Sequence, residues 1–352
     1  MRRVTVRISA AAAVILTATI AGCGAPATPD RQLPPVKPQA ASLQEGFSTM
    51  EHLVETARKE GSLTVVGLPR DWVNYGEIID TFSEEYGIKV DQLEPDASSK
   101  QEIESAARLK PDVFDLSLEV AVANAAAFAP YKVQNWQDIP DDVKDNAGRW
   151  YAGYGGYMSI GYDPRKVAAP TSYGDLLKPG YSVSLPGDPR HSAAAFNAVM
   201  AASLSRGEPQ AKRGVEFFER LRKTGNLAAS ERTASAILDW DYDNAERSGW
   251  KVAIPGDAVL SSYYVQAVSK NAPHPAAARL WQEFLFSDRG QNLFLKGYAR
   301  PARMEALQMR GTLDRELAAR LPATTAKPVM LNIPEIDAAK AYLQRAWNGK
   351  TG

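Results

Sequence analysis

The segment YAGYGGYMSIGY at residues 151–162 lies in the middle of the chain, between two regions of mixed α/β pattern. Tyrosine and glycine alternate over its first part, and residues 158–162 alternate as a β-strand does. Because glycine tolerates backbone conformations that other residues avoid, we expect Gly153, Gly155 and Gly156 to lie where the chain passes between two lobes.

The region before this segment alternates predicted strands and helices. Apolar patterning predicts strands at 63–66, 88–93 and 113–118, whereas apolar residues at helical spacing predict helices at 75–86 and 98–109. Strand and helix alternating at this spacing imply right-handed crossovers and a parallel sheet.

A second α/β pattern follows the segment. Strands are predicted at 182–185, 237–241, 252–254 and 263–268, and helices are predicted to begin at Ser192 and Pro275. We therefore predict an α/β fold of two α/β lobes, joined by a hinge, with a ligand cleft between them. The predicted boundaries place residues 46–157 and 263–352 in lobe 1 and residues 158–262 in lobe 2.

The N-terminus indicates export and anchoring. Three arginines precede an apolar run at residues 8–20, which has the length of a signal sequence and is too short to span a bilayer comfortably. The motif IAGC that ends at Cys23 resembles the lipobox of bacterial lipoproteins, whose cysteine is lipidated and becomes the first mature residue. We predict a signal peptide at 1–22 and a proline-rich, extended tether at 23–45. The alternative is an ordinary secretory signal with a chance cysteine.

The composition excludes several classes of protein. Lys+Arg and Asp+Glu number 41 each, so the chain has no basic excess for general nucleic-acid binding. A single cysteine excludes a disulfide framework and a multi-cysteine zinc site. We expect no cofactor, no metal, no nucleic-acid partner, a monomer, and contact with the membrane through the lipid anchor only.

Sequence motifs for catalysis are weak. Residues 156–161 are one residue too long for a Gly-x-Ser-x-Gly nucleophile elbow, and no phosphate-binding Gly-x-x-x-x-Gly-Lys-Ser/Thr loop is present in the sequence. His52, His191 and His274 lack the partner four residues away that a helical zinc site needs. We therefore predict that the protein is not an enzyme.

Candidate binding residues follow the predicted strands, because ligands of open parallel sheets bind beyond the carboxyl ends of the strands. The segment DWDYD at 239–243 alternates three carboxylates with two aromatic rings. An indole face attracts cations and a carboxylate supplies the counter-charge. Asp71 and Trp72 repeat this pair after the first strand, although Arg70 beside them could bind an anion. The alternative for 239–243 is a strand end with a core tryptophan and solvated acids.

A second candidate is the loop at 187–192, which leads into a helix. Backbone N–H groups at a helix N-terminus favour an anion such as a carboxylate, phosphate or phosphonate, although Asp188 or Ser192 could simply cap this helix. The candidate ligand-binding residues are Asp71, Trp72, Ser98, Glu119, Asp188, Ser192, Trp240, Asp241, Tyr242 and Tyr263.

Several segments resemble bacterial extracellular solute-binding proteins. They are residues 151–163, the stretch PTSYGDLLKP at 170–179, the late helix at 272–291 and the following motif GYARPAR at 297–303. The resemblance points to substrate-binding proteins of ABC importers, in the group that includes ferric-ion, polyamine, thiamine and phosphonate binders. It implies a type II periplasmic binding protein fold, an ABC permease and a separate ATPase subunit as partners, and a location outside the cytoplasm.

The resemblance leaves the solute open. We expect a polyamine or another organic cation first, a phosphonate or carboxylate second and ferric ion third. Iron binders of this group use adjacent tyrosines, but Tyr263 and Tyr264 lie unusually close in sequence to the late helix, and neighbours on a strand face opposite ways. A surface hydrolase and a sensor module are the alternatives from other classes.

Overall fold

The computed structural model describes residues 34–204, 208–256, 258–324 and 326–348. All but the first of these residues belong to one structural unit, Pro35–Gly352. The predicted signal peptide, Cys23 and the first part of the tether lie outside the described residues. Within the described ranges, no helix has the length and apolar character needed to cross a membrane.

Strands and helices alternate along the described chain. The strands are β1 (Ser62–Val66), β2 (Lys89–Leu93), β3 (Val113–Ser117), β4 (Phe128–Ala129), β5 (Tyr151–Tyr162), β6 (Val183–Ser184), β7 (Ala236–Trp240), β8 (Lys251–Ala253), β9 (Leu260–Ser269), β10 (Arg300–Pro301) and β11 (Val329–Met330). The helices are α1 (Leu43–Gly46), α2 (Met50–Glu60), α3 (Tyr75–Tyr86), α4 (Ser99–Leu109), α5 (Leu118–Ala123), α6 (Ala193–Ser203), α7 (Ala211–Lys223), α8 (Asp241–Glu246), α9 (Pro275–Leu285), α10 (Asp288–Lys296), α11 (Met304–Arg310), α12 (Arg315–Ala318) and α13 (Ile333–Ala346).

The main path through the sheet has the order β2-β1-β3-β9-β5-β7-β6. β1 is parallel to β2 and β3, and β6 is parallel to β7. β9 and β5 run antiparallel to their neighbours on this path and connect the two parallel portions. We call the part with β1, β2, β3 and β9 the first half, and the part with β6, β7 and β8 the second half. The predicted α/β class is confirmed.

The long strand β5 belongs to both halves. Its residues pair with β9 as far as Tyr157, which lies opposite Ser261. From Met158, which lies opposite Trp240, the pairing is with β7. The change of partner falls at the same peptide bond as the lobe boundary that the sequence predicts.

The glycines of this strand are required by close packing, not by unusual backbone angles. Gly155 and Gly156 lie within β5, and neither has a positive φ. A Cβ on Gly155 would lie 2.7 Å from the carbonyl oxygen of Ser262, and one on Gly156 would lie 2.6 Å from the ring of Tyr242. The predicted reason for these glycines, backbone freedom at a hinge, is therefore replaced by a steric one.

The core lies around the central strands of both halves. Every residue of β3 and of β7 is buried, as expected for strands covered on both faces. In the first half, Trp281 of α9 packs edge-on against Phe82 of α3, with ring centroids 5.0 Å apart. In the second half, α6 packs against α7.

The last helix departs from the predicted boundaries, which place residues 263–352 in lobe 1. α13 packs against α7 of the second half, and Trp347 directly after it contacts Phe218 with ring centroids 5.5 Å apart. β11, just before it, pairs with β9 of the first half. The C-terminal segment therefore contacts both halves.

Candidate functional site

A cavity of about 1010 Å³ lies beyond the carboxyl ends of five strands. Its lining includes residues that follow β1, β2 and β3 in the first half and β6 and β7 in the second half. Parallel strands bring their carboxyl ends, and the loops after them, to the same edge. A solute in this cavity would contact both halves.

The structure brings five of the ten predicted residues to this cavity and leaves five elsewhere. The lining residues are Trp72, Ser98, Glu119, Asp188 and Ser192. The predicted residues that do not line it are Asp71, Trp240, Asp241, Tyr242 and Tyr263.

The segment DWDYD is split between the cavity and the interior. Trp240 is 1% exposed and stacks on Tyr242, with ring centroids 6.0 Å apart. Asp239 and Trp240 end a strand, so their side chains face opposite ways. α8 then begins at Asp241, and its first turn brings Asp243 to the side of Asp239. Asp239 and Asp243 line the cavity, whereas the predicted residues Trp240 and Tyr242 do not.

Asp241 has a structural role instead. Its carboxylate is fully buried, accepts a hydrogen bond from the Tyr157 backbone N–H at 2.8 Å and forms an ion pair with Arg300. Arg300 lies on β10, which pairs with β5. Burial raises the pKa of Asp241, and the Arg300 guanidinium opposes that shift. Asp241 therefore ties α8 to β5 and β10 and is not available to a solute.

Two further predicted residues, Asp71 and Tyr263, also lie outside the lining of the cavity. Asp71 is exposed and outside the lining. Tyr263 and Tyr264 are successive residues of β9, so they point to opposite faces. The Tyr263 ring packs against Gly155, whereas Tyr264 lines the cavity. The sequence predicts that at most one of the two faces the cleft and selects Tyr263, whereas Tyr264 is the one that lines the cavity.

Trp72 is held in place at the cavity wall. Its ring meets Tyr242 edge-on at 5.3 Å and Tyr264 at 5.5 Å between centroids. Its indole N–H donates to the Tyr154 hydroxyl at 2.7 Å, and that hydroxyl donates to Asp115 Oδ2 at 2.8 Å. These bonds fix the indole, so an aromatic surface is presented to the cavity without further ordering.

Burial raises the pKa of Tyr264 well above its ordinary value, and the charges of four carboxyl groups add to that rise: Asp115, Glu119, Asp243 and Asp239. Burial raises the pKa of Asp239 to about 6 and that of Asp115 to about 7. Burial and the charge of Asp239 raise the pKa of Asp243 well above its ordinary value. The site therefore carries carboxyl groups that are costly to ionise while it is empty.

Asp243 differs from the other three in its partners. Asp115 accepts from Tyr154 and Gln266, Glu119 accepts from Lys340, and Asp239 faces Arg247 at 3.3 Å. Within the described part of the chain, the Asp243 carboxyl has no hydrogen-bond or ion-pair partner. Of these four carboxyl groups, Asp243 is therefore the one open to a solute, and it is not among the residues predicted from the sequence.

The lining is rich in carboxyl groups. Its described acidic residues are Asp96, Glu102, Glu104, Asp115, Glu119, Asp188, Asp239, Asp243 and Asp337. Its described Lys and Arg residues are Lys100, Arg190 and Lys340. Each of these three cations already has an acidic partner, namely Glu104, Asp188 and Glu119 respectively. The cationic side chains of the lining are therefore already paired, whereas several of its carboxyl groups have no ion-pair partner among the described residues.

The serines at the cavity have local roles. The Ser192 hydroxyl accepts from the Ala195 N–H at 3.2 Å, which caps α6, and donates to the Pro186 carbonyl at 2.8 Å. Ser98 caps α4. Among the described residues, no group of three or more His, Cys, Asp or Glu side chains is placed to hold a metal ion.

Three side chains outside this cavity, Ser62, His274 and Asp112, form a hydrogen-bonded series. The sequence did not predict this arrangement. Ser62 Oγ is 3.1 Å from His274 Nε2, and His274 Nδ1 is 2.8 Å from Asp112 Oδ2. These distances resemble those of a catalytic triad, so the arrangement bears on the hydrolase alternative.

The surroundings of these three side chains favour a structural role for them. The N–H groups of Ala276 and Ala277, which follow His274 closely in sequence, both donate to Glu60, so these two donors are already occupied by a carboxylate and are not free to stabilise an oxyanion. Asp112 also accepts from the Thr64 N–H at 2.7 Å. The contacts of Ser62, His274 and Asp112 therefore link β1 and the start of β3 to the start of α9.

Comparisons with known proteins agree with this geometry. The family described as bacterial extracellular solute-binding protein matches residues 112–323, well over half of the chain. No curated protein sequence gives a match.

Solved structures give similarity of fold at low sequence identity. The periplasmic binding protein AfuA from Actinobacillus pleuropneumoniae, with fructose-6-phosphate bound, has a TM-score of 0.60 at 13% identity, covering 82% of this chain and 99% of that one. The ferric binding protein from Campylobacter jejuni has a TM-score of 0.61 at 17% identity, covering 81% of this chain and 98% of that one. An ABC transporter substrate-binding protein from Bradyrhizobium japonicum has a TM-score of 0.61 at 16% identity, covering 81% of this chain and 98% of that one. The expected fold, that of a two-lobed type II periplasmic binding protein, is confirmed.

Proposed function

The chain belongs to the bacterial extracellular solute-binding proteins, and from this premise we propose that it is the receptor that delivers a small organic cation to an ABC permease. A separate ATPase subunit would drive that permease. The protein would act outside the cytoplasm, as its family does, and would perform no chemistry on the solute.

The observation that carries the choice of ligand is the carboxyl of Asp243, which has no hydrogen-bond or ion-pair partner among the described residues and lines the cavity together with two aromatic rings. Trp72 and Tyr264 line the same cavity, and nine acidic residues outnumber three basic ones there. A cation over an aromatic face contributes about 2 kcal/mol when it is partly desolvated. A bound ammonium group would also supply the counter-charge that the buried carboxyl groups lack.

The mechanism follows from the lining. Trp72 and Asp115 belong to the first half, whereas Asp239 and Asp243 belong to the second. We assign the hinge to the point where β5 changes partner between Tyr157 and Met158, with the lobes broadly as the sequence predicts. A solute that contacts both lobes binds the closed form more tightly and so shifts the population towards it.

The class of ligand can be tested by thermal melting of the purified protein with matched probes. We expect butylamine and choline to raise the melting temperature, because a ligand at 100 times its Kd stabilises the folded state by about 2.7 kcal/mol. Butyrate, fructose 6-phosphate and ferric citrate should leave it unchanged. A rise with an anion and none with any amine would replace the cation with an anionic solute.

The lipid anchor is part of the same proposal and rests on the sequence. Cys23→Ser removes the single cysteine, so we expect the variant to move from the membrane fraction to the soluble or secreted fraction. Ala25→Ser, which leaves the IAGC motif intact, is the matched control and should stay with the membrane. Immunoblotting of both fractions is the measurement, and a Cys23→Ser protein still found in membranes would exclude the anchor.

A further inference from the structure

A lysine of the last helix reaches across the cavity. Lys340 lies on α13, which packs against α7 in the second half. Its ammonium nitrogen donates to Glu119 Oε1 at 2.8 Å. Glu119 lies on α5, directly after β3 in the first half. Both residues line the cavity, so this ion pair joins its two sides.

The pair is positioned by further contacts. Glu119 also accepts a hydrogen bond from the Ser117 hydroxyl at 3.0 Å, and its side chain is 12% exposed. The Lys340 ammonium lies 5.5 Å from the centre of the Phe196 ring. Gln344, one turn further along α13, donates to the Arg190 carbonyl at 3.5 Å. These contacts hold the ammonium group inside the cavity mouth.

The Lys340 ammonium group reduces the number of carboxyl groups available to a solute. Glu119 is one of the four carboxyl groups around Tyr264, and Lys340 already neutralises it. Asp243 is the member of that group without a partner among the described residues. Of these four carboxyl groups, only Asp243 therefore has no hydrogen-bond or ion-pair partner among the described residues, while the place beside Glu119 is filled by an ammonium group of the protein itself.

We propose that Lys340 is a specificity-determining residue that makes the cavity select solutes with one cationic centre over diamines and polyamines. The inference rests on the proposed cation receptor and narrows its substrate class. A second ammonium near Asp243 and Tyr264 would have to displace Lys340 from Glu119.

Asp96 and Asp337 also line the cavity without a partner among the described residues, but both are exposed, and an ion pair in water contributes little. Burial raises the pKa of Glu102 well above its ordinary value and so keeps it protonated. The second charge therefore adds little affinity.

The test compares butylamine with 1,4-diaminobutane by calorimetry. In the wild-type protein, the diamine should bind no tighter than the factor of two expected from its two equivalent ends. Lys340→Met and Lys340→Gln should each raise diamine affinity relative to butylamine about tenfold, since Glu119 becomes free to bind a charged donor. Lys340→Arg keeps the charge and should keep the wild-type ratio. Arg345→Gln removes a charge from an exposed position of the same helix and serves as the matched control.

A double variant locates the effect. Adding Glu119→Gln to Lys340→Met should remove the gain for the diamine. An unchanged ratio in both Lys340→Met and Lys340→Gln, with butylamine still bound, would overturn the role of Lys340 and leave the cation receptor standing. A wild-type protein that binds neither amine would overturn the proposed function on which this inference rests.

Discussion

Replacing Trp240 with alanine is expected to lower the free energy of unfolding of the empty protein by about 3–5 kcal/mol, the usual cost of removing a buried large aromatic side chain. The indole is 1% exposed and stacks on Tyr242 in the second half. Chemical denaturation of the unliganded protein gives the measurement. Amine affinity should change little in the variant that remains folded, because Trp240 does not line the cavity.

Trp250→Ala is the matched control, because this tryptophan is only half-buried and directly precedes β8 in the same half. Its loss should cost clearly less stability. The contrary result for Trp240→Ala would be a near-normal stability with amine binding weakened about thirtyfold. That result would return Trp240 to the binding site and overturn the geometry described here.

Asp243→Asn is expected to weaken butylamine binding about 10- to 100-fold, because a hydrogen bond to a charged group contributes about 1.5–3 kcal/mol and 1.4 kcal/mol is a factor of ten. The same variant should be more stable than the wild type when empty. Burial and the charge of Asp239 raise the pKa of Asp243, so the folded state holds its proton more tightly than the unfolded state. The folded protein therefore loses stability as the pH rises above the unfolded value.

The stability gain of Asp243→Asn should consequently appear at neutral and higher pH and vanish in acid, where the carboxyl is protonated in both states. Asp96→Asn removes the same charge from an exposed position on the cavity rim and is the matched control. Calorimetry and melting of both variants separate the two effects. Normal amine affinity in Asp243→Asn would exclude this carboxyl as a ligand.

The fold is accessible from the sequence because its signals are local. The helix predicted at 75–86 is α3 (Tyr75–Tyr86), and the one predicted from Pro275 is α9 (Pro275–Leu285). Helical spacing of apolar residues and a proline at the first position carry these predictions. The loops after the predicted strands also meet at the cavity, because parallel strands end at the same edge.

The orientation of individual side chains is less accessible. The sequence identifies DWDYD as a dense group of acids and aromatics, but the strand ends within it at Trp240. Side chains alternate up to that point and follow helical spacing after it, so an error of one residue in the boundary exchanges the cavity and core sides. The same alternation along a strand places Tyr263 and Tyr264 on opposite faces, and only Tyr264 lines the cavity.

Contacts between distant segments have no local signal. Lys340 and Glu119 are 221 positions apart, and Arg300 and Asp241 are 59 apart. Each pair depends on how helices and strands pack after they form. The glycines of β5 show the same limit, because the rings of Tyr242 and Tyr263 that exclude a Cβ come from other elements.

Calorimetric titration of the wild-type protein with butylamine at about pH 5.5 and pH 8 tests cation binding most directly. The amine stays protonated throughout this range. Burial raises the pKa of Asp239 to about 6 and that of Asp115 to about 7, so both carboxyl groups are more fully ionised at the higher pH. Because a cation favours ionised carboxylates, we expect tighter binding at pH 8 than at pH 5.5. Weaker binding at pH 8, or no binding of the amine at either pH, would contradict it.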